Sequence, residues 1–190
     1  MKKKIITIAG KLGSGKSSTG NMLAHNLGYK RFSMGDIQRR YAEELGMTFA
    51  DYCEMQNTDH SIDKKVDQYQ KEISEKEDSF VLDSRLGWYF IPNSFKVFLE
   101  LPDEIAVERI MSDAHVNTLR RVENISSNAE EVKRSLTHRV DSEKKRYLDL
   151  YNIQDHFDHS HYDLVVRTDK HPIEEVVAII QDAYEQWLSS

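Results

Sequence analysis

The chain has 190 residues, a formal net charge of −6, 39% hydrophobic residues and one cysteine, Cys53. This length fits a single domain, the acidic balance argues against non-specific nucleic-acid binding as the main role, and one cysteine excludes an internal disulfide and favours a reducing cytoplasm. No run approaches the roughly 20 apolar residues of a membrane-spanning helix, and we expect no signal peptide because the first apolar stretch ends at Gly10.

Short apolar segments alternate with helical patterns along the chain. The predicted strands are residues 4–9, 29–32, 80–83, 95–101 and 163–168. Helices are predicted over residues 16–27, 36–76 with a break at Gly46, 103–111, 130–150 and from Pro172 towards the last residues. Short apolar strands separated by helices are typical of βαβ units. The sequence therefore predicts an α/β fold with a parallel sheet covered by helices on both faces.

A glycine-rich loop follows the first predicted strand and leads into the first predicted helix. Its sequence, Gly10-Lys11-Leu12-Gly13-Ser14-Gly15-Lys16-Ser17, matches the P-loop pattern G-x-x-x-x-G-K-[ST]. Glycines let the backbone wrap a triphosphate, and the start of the helix adds the positive end of its dipole. Lys16 can reach the β- and γ-phosphates. The alternative is a glycine-rich turn with an incidental lysine. The predicted ATP-binding residues are Gly10, Lys11, Leu12, Gly13, Ser14, Gly15, Lys16, Ser17 and Ser18.

A magnesium site is predicted beside this loop. The Ser17 hydroxyl can ligate the ion that accompanies ATP. The third predicted strand, residues 80–83, ends in Asp83, and in P-loop proteins such a carboxylate commonly holds the metal through water. A helix cap or a turn is the alternative role for Asp83, since Asp is favoured there.

Arginines are expected wherever phosphate moves between two anions, because guanidinium groups offset the charge repulsion. Arg85 is the best placed, two residues after Asp83, and Arg39 lies one turn into the helix that follows the second strand. The arginines that lie in polar segments or at strand and helix ends are Arg39, Arg85, Arg109, Arg120, Arg121, Arg139 and Arg146.

Two segments, residues 33–77 and 113–131, look too polar to belong to the core and are candidates for moving parts. Outside them, His156, His159 and His161 are expected in a surface loop, and no cysteine and histidine spacing suggests zinc. The aromatic run of residues 88–90 is either core or the lining of a base pocket.

Almost the whole chain resembles the nucleoside monophosphate kinases, and most of all their archaeal-type cytidylate kinase-like branch. The P-loop alone is generic, whereas Ser33-Met34-Gly35-Asp36-Ile37-Gln38-Arg39 after a second short strand is much more specific. The other matching segments are Val81-Leu82-Asp83-Ser84-Arg85-Leu86, Glu108-Arg109-Ile110, Arg139 through Lys145-Arg146-Tyr147, and Tyr162-Asp163-Leu164-Val165-Val166. The chain departs from the family at Lys11-Leu12, where two prolines are usual.

The resemblance implies a three-layer α/β/α P-loop NTPase fold with a five-stranded parallel sheet. It implies one kinase domain, residues 1–190, with a helical monophosphate-binding insertion over residues 33–77 and a short lid over residues 113–131. The monophosphate site would hold Ser33, Asp36, Arg39 and Arg85. The catalytic residues would be Lys16, Arg85, Arg121 and Arg139, and the metal residues Ser17 and Asp83.

The activity that the resemblance implies is phosphorylation of CMP or dCMP by ATP, with Mg²⁺ as cofactor. The partners are then ATP and a nucleoside monophosphate, with no nucleic acid and no membrane, in the cytoplasm. The oligomeric state stays open and a monomer is compatible with it. A P-loop kinase of another acceptor, such as AMP or a small alcohol, and a nucleotide-gated regulatory ATPase are the alternatives. The Arg39 and Arg85 motifs favour a kinase, because a switch needs no second phosphate site.

The residues that read the base are not fixed by these motifs. Suitable polar residues lie in the insertion, but solvated helix faces have the same composition. The candidates are Gln56, Asn57, Asp59 and Asp63.

Overall fold

The computed structural model of the chain describes residues 2–116 and 128–190. Within these residues, five parallel strands form one sheet in the order β2-β3-β1-β4-β5. The strands are β1 (Ile5–Gly10), β2 (Lys30–Ser33), β3 (Phe80–Asp83), β4 (Phe95–Glu100) and β5 (Leu164–Arg167). Each predicted strand is confirmed, with bounds that differ by at most one residue.

Helices connect these strands, and side chains at their first residues fix where several of them begin. The Ser33 hydroxyl accepts from the amide of Asp36, and the Asn128 side chain accepts from the amides of Glu130 and Glu131. The helices are α1 (Lys16–Leu27), α2 (Met34–Glu44), α3 (Phe49–Gln56), α4 (Ser61–Lys76), α5 (Gly87–Phe90), α6 (Asp103–Val116), α7 (Ala129–Tyr151) and α8 (Ile173–Ser189).

Alternating side chains of the buried strands separate two apolar layers. Ile6 and Ile8 of β1 face a cluster that includes Leu23 of α1 and Ile180 of α8. Ile5 of the same strand faces the opposite cluster, which α2 and α4 cover. A period of two residues places neighbouring side chains on opposite faces of a strand. The three-layer α/β/α prediction is therefore confirmed.

The expectation that residues 33–77 are too polar for the core is wrong for two of their three helices. Ile37 of α2 and Val66 and Ile73 of α4 are buried against Phe80 and Leu82 of the sheet. A helix needs only one apolar stripe to pack on a sheet, so the charged residues on its other faces hide this stripe in the average composition.

Helix α3 lies in a separate small cluster. Tyr52 of α3 packs with Ala42 of α2 and Ile62 of α4, and Phe49 and Met55 lie against them. Within residues 33–77, α3 thus packs on α2 and α4. The predicted lid, residues 113–131, falls mostly on residues 117–127, so Arg120 and Arg121 lie outside the described residues. None of the helices in the described part of the chain is long and apolar enough to cross a membrane.

Candidate active site

The loop between β1 and α1 can take its shape only because of its glycines. Gly10 has a φ of 151°, and a Cβ atom there would lie 2.4 Å from the Leu99 carbonyl oxygen of β4. Gly15, at a φ of 82°, immediately precedes the first residue of α1. The left-handed backbone and the close approach to β4 both favour glycine. The loop thus turns sharply from the end of a central strand into the N-terminus of a helix, which is the geometry that binds phosphate.

Lys16 spans this loop from the inside. Its Nζ donates to the carbonyl oxygens of Gly10 at 2.9 Å and Lys11 at 2.7 Å. Burial, together with the nearby positive charge of Arg85, lowers the pKa of Lys16 to about 7. A large fraction of the Lys16 amine is therefore neutral near pH 7. A bound polyanion would favour the protonated ammonium form.

Ser17 and Asp83 meet at the base of the loop. The Ser17 hydroxyl donates to Oδ2 of Asp83 at 3.0 Å, and a guanidinium nitrogen of Arg31 lies 3.6 Å from the same oxygen. A hydroxyl and a carboxylate are hard oxygen donors, which suit Mg²⁺. No group of three or more His, Cys, Asp or Glu side chains suited to a metal occurs among the described residues. The pair therefore fits a metal whose other ligands are phosphate oxygens and water.

A cavity of about 740 Å³ opens in front of the P-loop and extends between α2, α3, α4 and α7. It lies at the carboxyl ends of β1 and β3, where ligands bind in open parallel sheets. The predicted site residues that line it are Leu12, Gly13, Ser14, Gly15, Lys16, Ser17, Ser18, Ser33, Arg39, Asp83, Arg85 and Arg139.

Arg85 is fixed at the centre of this cavity by two contacts. Its Nε donates to Oε2 of Glu143 on α7 at 2.5 Å, and its NH1 group lies 3.4 Å from the Gly10 carbonyl oxygen. Burial disfavours the charged guanidinium, but the Glu143 carboxylate outweighs it, so the pKa of Arg85 is raised. Arg85 therefore stays charged beside the P-loop.

Glu143 also binds a second arginine. Nε of Arg139, one turn earlier on α7, lies 3.3 Å from Oε1 of Glu143, and Nε2 of His156 lies 3.6 Å from Oε2. Burial raises the pKa of Glu143, but Arg85 and then these neighbours outweigh it and hold it well below the usual range. One buried carboxylate thus organises two cations that face the cavity.

The predicted monophosphate residues lie at the start of α2. Ser33 and Arg39 line the cavity, and the Arg39 guanidinium packs 4.8 Å above the Phe49 ring of α3. Asp36 does not line the cavity: its carboxylate lies 3.3 Å from Arg31 and 3.5 Å from Arg39. The structure places Ser33 and Arg39 on the wall and Asp36 behind Arg39.

A polar cluster on α3, α4 and α7 lines the far side of the cavity, and all its members except the exposed Asn57 are buried. Arg146 donates through Nε to Oδ1 of Asp63 at 3.2 Å and through NH1 to Oδ1 of Asn57 at 3.2 Å. Nε2 of Gln56 lies 3.4 Å from the same Asp63 oxygen. The fourth base-pocket candidate, Asp59, is exposed and accepts from the amide of Ser61 instead.

A further arginine, Arg109, lines the opposite end of the cavity. The NH2 group of Arg109 on α6 donates to the Thr168 carbonyl oxygen at 2.7 Å, which holds the guanidinium against the loop after β5. His171 and Pro172 of this loop and Ile173 at the start of α8 also line the cavity. The cavity therefore extends from the polar cluster on α3, α4 and α7 to residues of α6 and α8.

Three residues considered in the sequence analysis do not line the cavity: Lys11, His156 and Trp88. Lys11 points away from the cavity and its Nζ lies 2.8 Å from the exposed Asp103 carboxylate. His156 is not a surface residue: it is 1% exposed and packs against Tyr147. Trp88 stacks on His161 at 3.8 Å between ring centroids, outside the residues that line the cavity.

Sequence reasoning did not single out Glu143, Arg31 or Gln70. The one signal available was the spacing of Arg139, Glu143 and Arg146, which places three charges on one face of a helix. The contacts to Arg85 and Asp63 join segments far apart in the chain, so only the folded structure identifies them.

The sequence and the fold of this chain are similar to those of known proteins. The sequence model of the cytidylate kinase-like family matches residues 5–170. A cytidylate kinase of Methanosphaera stadtmanae is 31% identical over 95% of this chain and 98% of its own length, and one of Methanobrevibacter smithii is 33% identical over 93% and 95%. The shikimate kinase structure of Bacteroides thetaiotaomicron superimposes with a TM-score of 0.65 at 14% identity, covering 95% of this chain and 98% of its own. At that identity the structural likeness shows the fold alone.

Proposed function

We propose that this chain, which belongs to the cytidylate kinase-like family, transfers the γ-phosphoryl group of ATP to CMP or dCMP. The chain is a nucleoside monophosphate kinase, and relatives that span nearly its whole length are named cytidylate kinases. The observation that carries the proposal is the position of Arg85, which contacts the P-loop carbonyl of Gly10 and shares one cavity with Arg39. The guanidinium of Arg85 therefore lies between the P-loop and the proposed site of the acceptor phosphate.

The donor side of the proposal rests on the P-loop. Backbone amides of residues 13–18 and the start of α1 bind the phosphates of ATP, and Lys16 turns from the loop carbonyls to the β- and γ-phosphates. Ser17 and Asp83 would hold Mg²⁺, which supplies positive charge to the phosphate oxygens when bound. The flat Arg109 guanidinium, held by Thr168, offers a stacking surface for the adenine ring.

The proposed binding of the acceptor phosphate rests on the guanidinium groups of two arginines. Arg39 and Arg85, with the Ser33 hydroxyl, bind the phosphate of the monophosphate, and Asp36 positions Arg39. Arg139 approaches the transferring group from α7. Arg121, which falls within the expected lid, lies outside the described residues and keeps its proposed role from the family resemblance.

The chemical step needs alignment and charge neutralisation. An oxygen of the acceptor phosphate attacks the γ-phosphorus, the bond from that phosphorus to the β–γ bridging oxygen breaks, and the electron pair leaves with ADP. The attacking oxygen is already anionic, so no general base is required. Lys16, Arg85 and Arg139 stabilise the charge that spreads over the transferring group.

An acceptor panel tests the proposal. With ATP and Mg²⁺ saturating, kcat/KM for CMP or dCMP should exceed that for UMP, AMP, GMP and shikimate. A higher value for AMP or GMP than for both cytidine nucleotides would overturn the cytidylate assignment. Slow ATP hydrolysis that none of these acceptors stimulates would favour a regulatory ATPase. A cytoplasmic location, supported by the single Cys53, is part of the same proposal.

A further inference from the structure

The polar cluster at the far side of the cavity contains an acceptor atom that the protein leaves unused. Asp63 is 5% exposed, and its Oδ1 oxygen accepts from Arg146 and Gln56. Its Oδ2 oxygen is buried and has no hydrogen-bond partner in the part of the chain that the structure describes. A buried carboxylate oxygen without a donor is costly, so its retention on a cavity wall points to a ligand that supplies the donor.

Helix α7 connects this carboxylate to the phosphate-binding end. Arg139, Glu143 and Arg146 lie at intervals of four and three residues, so they share one face of α7. The first two contact each other next to Arg85, and the third binds Asp63. Seven residues of helix span roughly 10 Å. The acceptor phosphate at Arg85 and the far polar cluster are thus two ends of one continuous wall.

We infer that Asp63 reads the base of the acceptor through its free carboxylate oxygen, which accepts a hydrogen bond from the exocyclic amine of cytosine. This inference rests on the proposed function, since it assumes that a nucleoside monophosphate binds with its phosphate at Arg85. Arg146 and Gln56 hold the other oxygen and so fix the direction in which the free oxygen points. Asp63 is then a specificity-determining residue.

The chemistry of this contact separates two acceptors of the same size. Cytosine presents an amine at position 4, whereas uracil presents a carbonyl oxygen there. A carboxylate oxygen attracts the amine and repels the carbonyl, and a buried polar group left facing the wrong base is strongly penalised. Gln70 lies on the same wall, and its Oε1 contacts the Ser84 hydroxyl at 2.5 Å. This contact leaves its amide nitrogen as a donor for a ring carbonyl or ring nitrogen.

The test compares CMP with UMP as acceptors in three proteins: wild type, Asp63→Asn and the matched control Asp59→Asn. Asp59 is four residues away and exposed, and within the described residues its carboxylate accepts from the amide and the side chain of Ser61. The wild type should prefer CMP. Loss of a hydrogen bond to a charged group corresponds to about tenfold to a hundredfold in affinity, so Asp63→Asn should reduce the CMP to UMP ratio of kcat/KM by that amount. Asp59→Asn should keep the wild-type ratio.

Each outcome has a distinct meaning. A wild type that uses CMP and UMP equally, or a folded Asp63→Asn protein with the wild-type ratio, overturns the role of Asp63 while the kinase proposal stands. A wild type that phosphorylates neither nucleotide overturns the proposed function and the inference with it. A merely structural role for Asp63 predicts equal losses for both acceptors.

A second variant keeps the test decisive if Asp63→Asn does not fold. The single change leaves the guanidinium of Arg146 buried without its anion, which is strongly destabilising. The double variant D63N/R146Q removes both charges together and retains hydrogen-bonding groups at both positions. It should show the same reduced CMP to UMP ratio, and a wild-type ratio in this protein overturns the inference.

Discussion

Nε of Arg85 donates to Oε2 of Glu143 across 2.5 Å and so joins the end of β3 to helix α7. Glu143 is buried and Arg85 is mostly buried, with side chains 8% and 13% exposed, and Arg139 shares the same carboxylate. In a site that must bind two polyanions, an anion at this position weakens the overall attraction. Its effect is to hold Arg85 in one orientation and to compensate its charge before phosphate arrives.

The first prediction concerns the stability of this pair. Glu143→Gln should lower the free energy of unfolding by about 3 to 5 kcal/mol, because removing one partner leaves Arg85 buried and uncompensated. Urea unfolding measures the difference. Asp141→Asn, at an exposed position in the middle of the same helix, is the control and should change stability by less than about 0.5 kcal/mol. Equal stabilities of the two variants would contradict this role of Glu143.

The same pair predicts a dependence on pH. The pKa of Glu143 is held well below its usual value in the folded chain. A depressed carboxyl pKa stabilises the fold fully above the unfolded value of about 4.3, and this stabilisation is lost as the pH falls towards the folded value. The stability difference between wild type and Glu143→Gln should therefore be constant from pH 6 to 7, both above that value, and shrink on acidification. A stability difference between the two proteins that increases on acidification would show that the pKa of Glu143 is not lowered in the folded chain.

The second prediction concerns Lys16. Lys16→Ala should keep the fold and lower kcat by about 100-fold to 1000-fold, because the charge on the β- and γ-phosphates is no longer met. Circular dichroism and a coupled assay give the two readouts. Lys30→Ala is the control, since Lys30 is exposed and pairs with Glu77. Near-wild-type turnover of a folded Lys16→Ala protein would refute the P-loop interpretation.

The third prediction concerns protons. Burial lowers the pKa of Lys16 to about 7 in the free chain, so most of the amine is neutral at pH 8. A bound triphosphate favours the ammonium form and raises this pKa. Binding of Mg²⁺-ATP at pH 8 should therefore take up close to one proton, and affinity should fall as the pH rises above 7.

Calorimetry in buffers of different ionisation enthalpy measures this uptake. Lys16→Arg is the matched variant, because a guanidinium stays protonated throughout. Its ATP binding should show no such uptake at pH 8. Equal uptake in both proteins would assign the proton to a group other than Lys16.

The fourth prediction separates the two phosphate sites. Arg85→Ala should lower kcat/KM for CMP by about tenfold to a hundredfold, the range expected for a lost charge-assisted hydrogen bond. ATP affinity, measured by calorimetry, should be largely unchanged. Arg85→Lys keeps the charge opposite Glu143 but loses the fork, and should show a smaller loss. An equal loss of ATP affinity would move Arg85 to the donor site.

Local patterns predicted most of the fold. The five strands and the glycine loop depend on short apolar runs and on backbone conformations that only glycine adopts readily. The role of α2 and α4 in the second layer was missed, because Ile37, Val66 and Ile73 form a thin stripe among charged residues. The average polarity of the segment does not reveal these apolar residues. Their packing against Phe80 in the folded chain does.

The sequence by itself determined the P-loop, the parallel α/β fold and the family, since each follows from residues that are neighbours in the chain. The tertiary structure decided which polar groups act together. Arg85 meets Glu143 across 58 positions and Asp63 meets Arg146 across 83. No periodicity encodes such a pair, because the distance between its members is set by how α7 packs against the end of β3 and against α4. At these contacts burial opposes the charge of Glu143 but its cationic neighbours outweigh burial and lower its pKa, and one carboxylate oxygen of Asp63 is left without a partner among the described residues.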